Sequence, residues 1–588
     1  MTYTSLPTSN KPNASNSRAN SGISARAGRP LIRSGMQPNR SGQQNSGLNN
    51  RRKVTYEKKL PTARPTGNTP NTSGYGGNCG TASGCNYNAE TIFKPNNERF
   101  MVQGAVDSSD RITRLKLNTI RSGRRCGPSQ LQACRGIYRT GDAQTAAESV
   151  SWPSPNNDYD KIKYKTKFNS SFYRPILFPR QFHEYNEDGK QIHYSPYNGK
   201  VLDGPLYTDN GFWDTFRAVF PFYTILYPEK LGEIMQGIMV NPYKESGWLP
   251  EWSSPGHRDC MIGSNSASII AEAYIKGIEN FDINTAYNGI INSSENEGPV
   301  SSVGRKGAFE YNKLGYIPFD SSINENVART LEYAYNDFSI WKLAVELDRP
   351  KDEIRLFKER AYNYKNVFDS STNFMRGKLK NGNFQSPFVP DAWGGAFTEG
   401  SSWHYTWSVL HDPQGLINLM GGRKDFVKKL DQVFTSEPTS DYSYYGFKIH
   451  EILEMELLNM GQYAHGNQPI QHAIYFYNYA QEPWKTQEKI RYVLDNLYGA
   501  EPDGYCGDED NGQTSAWFLF SSLGFYPVAP VTMEYIIGSP LFEYAEISLP
   551  NGKKFIIDSS ENSIENIYVH GVKLNEKYYN KNSLSHIS

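Results

Sequence analysis

Between about residues 264 and 525 apolar residues return at steps of three and four, and this periodicity restricts the chain to a mostly helical fold. In ENVARTLEYAYNDFSIWKLAVEL (325–347) Val327, Leu331, Ala334, Phe338 and Trp341 share one face, the pattern of an amphipathic helix with one side on a core. Comparable patterns occur at 264–278, 353–368, 399–410, 450–460, 471–480, 486–498 and 511–525. The connections, SPFVPDAWGGAFTEG and YGAEPDGYCGDEDNG among them, are long and rich in Gly, Pro, Asp and Trp. Helices joined by long polar loops predict a helical toroid with its site on the loop face, because a rigid scaffold presents chemistry on loops. After Pro530 the runs AEISLP, KKFIID and NIYVHGVKL, separated by NG and SSENS, predict a small β region.

The formal net charge of +1 conceals a division. Residues 1–150 hold 22 Lys and Arg against 7 Asp and Glu, whereas residues 151–588 hold 40 against 54. All ten Trp and all ten His lie in the second part. Residues 1–75 are Ser, Asn, Gly, Pro, Thr and Arg with little to bury, a composition that cannot offset its ordering entropy and predicts a disordered basic tail. Its charge suits nucleic acid or an anionic surface, but it lacks the aromatic interleaving of a nucleic-acid site. Residues 76–160 form a poorly defined basic segment, 161–530 the helical domain, and 531–588 the β region. No run approaches the ~18 apolar residues of a membrane span, and MTYTSLPTSNKPNASNSRAN lacks the apolar stretch of a signal peptide. The six Cys match no zinc spacing and read as inert thiols.

Two carboxylate clusters carry the chemistry. In GYCGDEDNGQTSAW (504–517) Asp508, Glu509 and Asp510 lie between glycines just before a helix. There the helix dipole favours the ionised form and a general-base role, although Asp510 or Asn511 would equally serve as an N-cap. In FVPDAWGGAFTEGSSWHYTW (388–407) Glu399 opens a helix among Trp393, Trp403 and Trp407. Desolvation by aromatic rings raises a carboxyl pKa and suits it to act as a general acid. Trp rings beside carboxylates also suit sugars, which offer C–H faces and hydroxyls. Further polar sets stand at TDNGFWDTFR (Trp213, Asp214), GHRDC (His257, Arg258), YYGFKIHE (His450, Glu451) and AHGNQP (Asn467, Gln468). Carboxylate and amide oxygens are hard donors, appropriate to Ca²⁺ and not to zinc.

The segments YRPILFPRQFHEYNEDGKQIHYSPYNGKV, TDNGFWDTFRAVFP, GHRDCMIGSNSASIIAEAYIKG, TEGSSWHYTW, YYGFKIHE, GQYAHGNQPIQH and GDEDNGQTSAWFLFSSLGFYPV resemble, in order, glycoside hydrolase family 92, the Ca²⁺-dependent inverting exo-α-mannosidases. The resemblance runs from about residue 168 to 585. It implies an (α/α)6 barrel, mannose-containing glycans as substrate, Glu399 as general acid, and Asp510 as general base assisted by Asp508. It further implies α-1,2 preference through His450 and Glu451, a mannose pocket lined by Trp213 and Asp214, and Ca²⁺ near Asn467 and Gln468. His257, Arg258 and Trp403 are expected at the substrate. Family members begin with a β-sandwich that is missing here, so a partner chain completing it is one expectation. A mannose-binding protein without turnover and a nucleic-acid-associated protein are the other two readings.

Overall fold

The computed structural model describes residues 158–587 and three short strands, Thr2–Ser5 (β1), Phe93–Pro95 and Arg124–Cys126. Apart from those strands, the expected disordered tail (1–75) and basic segment (76–160) lie outside the described residues up to 157. Cys79, Cys85 and Cys134 lie outside them too; Cys260 and Cys506 are free thiols.

The described chain is mainly helical. Its principal helices are α1 (Asp158–Tyr173), α2 (Val219–Leu226), α3 (Ser266–Ile275), α4 (Asn326–Glu346), α5 (Ser402–Tyr405), α6 (His450–Leu458), α7 (Phe476–Tyr479), α8 (Pro483–Asn496) and α9 (Gln513–Leu523). Packing runs α2 on α3, α3 on α4, α7 on α8, α8 on α9 and α9 back on α2. Aromatic rings carry the remaining step: Phe338 of α4 stacks on His411, and Trp407 meets Phe476 of α7 edge-on. The array therefore closes on itself. Phe222 and Phe520 meet across the closing seam with centroids 5.5 Å apart, a geometry worth about 0.5–1.5 kcal/mol beyond the area it buries.

Helix α4 departs from its expected amphipathicity. Every residue from Asn326 to Ile340 is buried, the polar ones included. Its polar side chains meet partners instead of water: Asp337 with Arg305 at 2.7 Å, Glu332 with Arg217 at 3.4 Å, and Asn336 with Asn265 at 2.9 Å. Two other expected helices are short. At 399–410 only Ser402–Tyr405 is α-helical, and at 471–480 a 3₁₀ turn (Ala473–Tyr475) precedes α7. Past α5 a side chain captures a carbonyl that a longer helix would use, Trp407 O bonding His472 Nε2 at 2.7 Å.

The C-terminal β region forms as expected from strands Tyr544–Ser548, Lys554–Asp558, Val569–Leu574 and Lys577–Tyr579. Strand β1 lies between the second and third of these, parallel to one and antiparallel to the other. Among the described residues no helix is long and apolar enough to cross a membrane.

Candidate active site

The seam between α2 and α9 fixes the first two groups. Gly211 N donates to Asn511 Oδ1 at 3.0 Å, and Ala218 N donates to Gln513 Oε1 at 3.0 Å. These bonds bring Asp214, just ahead of α2, towards Asp510, just ahead of α9. Asp214 is buried, and its Oδ2 finds no hydrogen-bond partner among the described residues. Burial, then the charges of Asp510 and Glu399, hold its carboxyl well above the usual range. Gly211 is needed for this approach: a Cβ there would stand 2.8 Å from both Asp214 Oδ2 and the Trp252 ring.

Gly512 is the N-cap residue of α9, and Glu509, not Asp510 or Asn511, is the side chain that holds this helix start. Its Oε2 accepts from Gly512 N at 2.8 Å and its Oε1 from the Ser515 hydroxyl at 2.6 Å. Asp510 is thereby left for other work. It adopts φ +55° and receives the side-chain amide of Gln468 on Oδ2. The expected dipole-favoured ionisation does not hold for Asp510: burial and then the neighbouring Asp508 push it up to about 7. Asp508 itself is exposed, 4.0 Å from His450 Nε2.

Glu399 does not open a helix. It lies two residues before Ser401, the N-cap of α5, at φ +45°. Tyr445 Oη accepts from its N at 3.2 Å, and its carbonyl accepts from Asn467 Nδ2 at 2.8 Å. Burial, then Glu451 and Asp510, push its carboxyl up to about 8. The surrounding tryptophans contact other groups: Trp393 packs on His404, Trp403 on Phe374 beneath Lys429, and Trp407 on Phe426 and Phe476. Desolvation raises Glu399 as expected, joined by like charges that the local sequence did not reveal.

His450 begins α6 in a ring of carboxylates, 3.1 Å from Glu451 Oε1 and 3.0 Å from Glu454 Oε1. The Glu454 hydrogen bond is the largest influence raising it to about 9, so it is an imidazolium at neutral pH. Glu451 is pushed up by burial, and its Oε2 is buried without a partner. Trp213 is buried at the foot of the site beneath Arg217, whose guanidinium lies 5.2 Å from its ring.

Two further expected substrate residues, His257 and Arg258, lie just after the strand Trp252–Ser253. His257 packs on Tyr197 and bonds Ser246 at 3.1 Å, while Arg258 O accepts from Ser302 Oγ at 2.7 Å. Their link to the cluster is the strand Trp252–Ser253, which pairs with Asn210–Gly211. Glu454, Trp252 and Tyr445 were not singled out in the sequence; Glu454 could have been found from its i+4 spacing to His450.

Of the two expected metal ligands, Asn467 spends Oδ1 capping Gln468 N at 3.0 Å. Gln468 Oε1 is buried with no hydrogen-bond partner, beside Asp510. Such an orphaned hard oxygen fits a Ca²⁺ ligand. Among the described residues no group of three or more His, Cys, Asp and Glu could hold a metal, so a cation here relies on amide, carbonyl, water and substrate oxygens.

The model of the glycosyl hydrolase family 92 catalytic domain matches residues 157–588. The chain belongs to glycosyl hydrolase family 92. Among solved family 92 structures, an inverting mannosidase of Bacteroides thetaiotaomicron is 45% identical, with TM-score 0.69 over 79% of this chain and 64% of that one. A family 92 α-mannosidase from the same organism, solved with mannoimidazole, is 32% identical with TM-score 0.67, over 81% and 60%. An uncharacterized secreted glycosidase of Arthroderma benhamiae is 26% identical over 499 residues, 78% of this chain and 59% of that protein. The chain thus spans about three fifths of the length of these relatives. The helical domain expected from the sequence is the family 92 catalytic fold.

Proposed function

We propose that the protein is a Ca²⁺-dependent, inverting exo-α-mannosidase acting on mannose-containing glycans with α-1,2 preference. The observation that carries this reading is the pair Glu399 and Asp510, two half-buried carboxyls in left-handed backbone whose charges reach each other and Asp214. Glu399, protonated at neutral pH, gives its proton to the glycosidic oxygen as the C1–O bond breaks. Asp510 takes a proton from the water that attacks C1 on the opposite face, and the anomeric configuration inverts. Asp508 lies close enough to raise the proton affinity of Asp510. Asp214, with an unused buried oxygen, holds a hydroxyl of the terminal mannose against Trp213. His450 and Glu451 receive the departing sugar and supply the linkage preference. Gln468 Oε1 would hold Ca²⁺, which when bound polarises sugar hydroxyls and stabilises developing positive charge electrostatically.

The reading is tested by mannose release from α-1,2-, α-1,3- and α-1,6-mannobiose, before and after chelation and with Ca²⁺ returned. Faster release from the α-1,2 isomer, lost on chelation and regained with Ca²⁺, is expected. Undiminished turnover in chelator removes the metal from the reading, and equal rates on the three isomers remove the linkage preference.

A further inference from the structure

His450 is anchored from both ring nitrogens. Nε2 faces Glu451 at 3.1 Å with Asp508 at 4.0 Å, while Nδ1 bonds Glu454 Oε1 at 3.0 Å. Glu454 lies four residues along α6, on the same helix face. Its other oxygen, Oε2, is buried without a hydrogen-bond partner, against Gly466, where a Cβ would come within 2.8 Å. The carboxylate is therefore lodged between the α6 face and the 466 backbone and can satisfy one ring nitrogen only. A neutral imidazole would have to turn an acceptor nitrogen towards one of three carboxylates; an imidazolium donates from both. With Nδ1 held, the ring cannot flip, and Nε2 of this half-exposed side chain is the nitrogen that an incoming sugar meets, its hydroxyl competing with Glu451 for the N–H. The charged groups facing this ring are Glu451 and Glu454 from α6 and Asp508 from the loop before α9. Glu399 and Asp510 feel its charge from farther away.

We propose that Glu454 is a positioning residue that fixes His450 as a doubly donating imidazolium and thereby sets which leaving sugar is accepted. The inference rests on the assignment of His450 to the departing sugar. An ionised donor bonds a sugar hydroxyl roughly twice as strongly as a neutral one. A leaving group without that hydroxyl leaves the donor unmatched and is rejected. Glu454 touches no substrate in this scheme; it acts through His450.

The test uses the full chain with isotope-labelled histidine, the His450 signal being identified by its loss in His450→Gln. In Glu454→Gln the His450 titration midpoint falls by about one unit or more. The ratio of kcat/KM for α-1,2-mannobiose to that for nitrophenyl mannoside falls about tenfold, the worth of one hydrogen bond to a charged group. Glu454→Asp keeps the charge but withdraws it by a methylene, so the midpoint stays near the parent value while KM for mannobiose rises. A midpoint unmoved in Glu454→Gln, or an unchanged KM in Glu454→Asp, overturns the proposal. The midpoint is read without substrate, so a protein that hydrolyses no mannoside sinks the proposed function while the titration still judges Glu454.

Discussion

Glu399 and Asp510 occupy backbone that side-chain-bearing residues seldom adopt, at φ +45° and +55°. Such strain persists only where the surroundings over-determine it, and here Tyr445 and Asn467 fix the backbone of Glu399 while Gln468 and the Glu509 cap fix Asp510. Glu399→Gln retains the shape and removes the proton. It should lower kcat on mannobiose by about 10²–10⁴-fold, while a nitrophenyl mannoside, whose leaving group needs no proton, falls by less than about tenfold. Equal losses on the two substrates refute the acid role. The acid must be protonated and the base ionised. With Glu399 at about 8, activity falls as pH rises through 8; Asp510, at about 7 without a cation, is lowered by Ca²⁺ held at Gln468 beside it, so the acidic limb of the Ca²⁺-loaded enzyme lies below 7. The profile of kcat/KM is therefore a bell whose limbs belong to the coupled pair. Activity that still rises above pH 9 contradicts this.

At the scale of elements, the start of α9 separates structure from chemistry within three consecutive acidic residues: Asp508 is exposed, Glu509 caps and Asp510 faces the site. Glu509→Ala removes two hydrogen bonds at a buried helix start, and a loss of about 1–3 kcal/mol is expected in denaturant unfolding. No measurable loss excludes the cap. The period of α4, α6, α8 and α9 was legible because each is long enough for its apolar face to repeat. The short α5 and α7 are less legible: His472, 65 positions away in sequence, takes the Trp407 carbonyl just past α5, and a 3₁₀ turn occupies the first part of the α7 segment. Glu399, Asp510, His450 and Gln468 were legible as chemistry-bearing types, yet the mutual charges among them come from segments up to 111 positions apart. The capping role of Glu509 was hidden by equally plausible neighbours. His257 is legible by residue type alone, and its ring meets Tyr197 and Ser246.

For the whole molecule, burial sets the response to pH. Glu251 and Glu399 are raised to about 8, Glu509 and Asp510 to about 7. A carboxyl raised in the folded state contributes stability fully present below its unfolded value near 4 and lost as pH rises through the folded one. His404, His465 and His472, lowered to about 3, act the other way, losing stability as pH falls below ~6.5. Below 6.5 the two sets oppose each other; above it the carboxyls and His450, raised to about 9, lose stability as pH rises, against the smaller opposing set of Lys429 and Lys167, lowered to about 7 and about 8. In chelator Tm should therefore fall between pH 6.5 and 8.5, and a rise over that interval contradicts the burial of these groups. The ring seam has a further consequence, for synthesis. Asp214 is made early and Asp510 some three hundred residues later, and they meet only when α9 docks on α2. A nascent chain halted before Leu523 can hold the described helices that precede α9 and still lack the paired carboxyls, because α9 both shuts the ring and carries the proposed base.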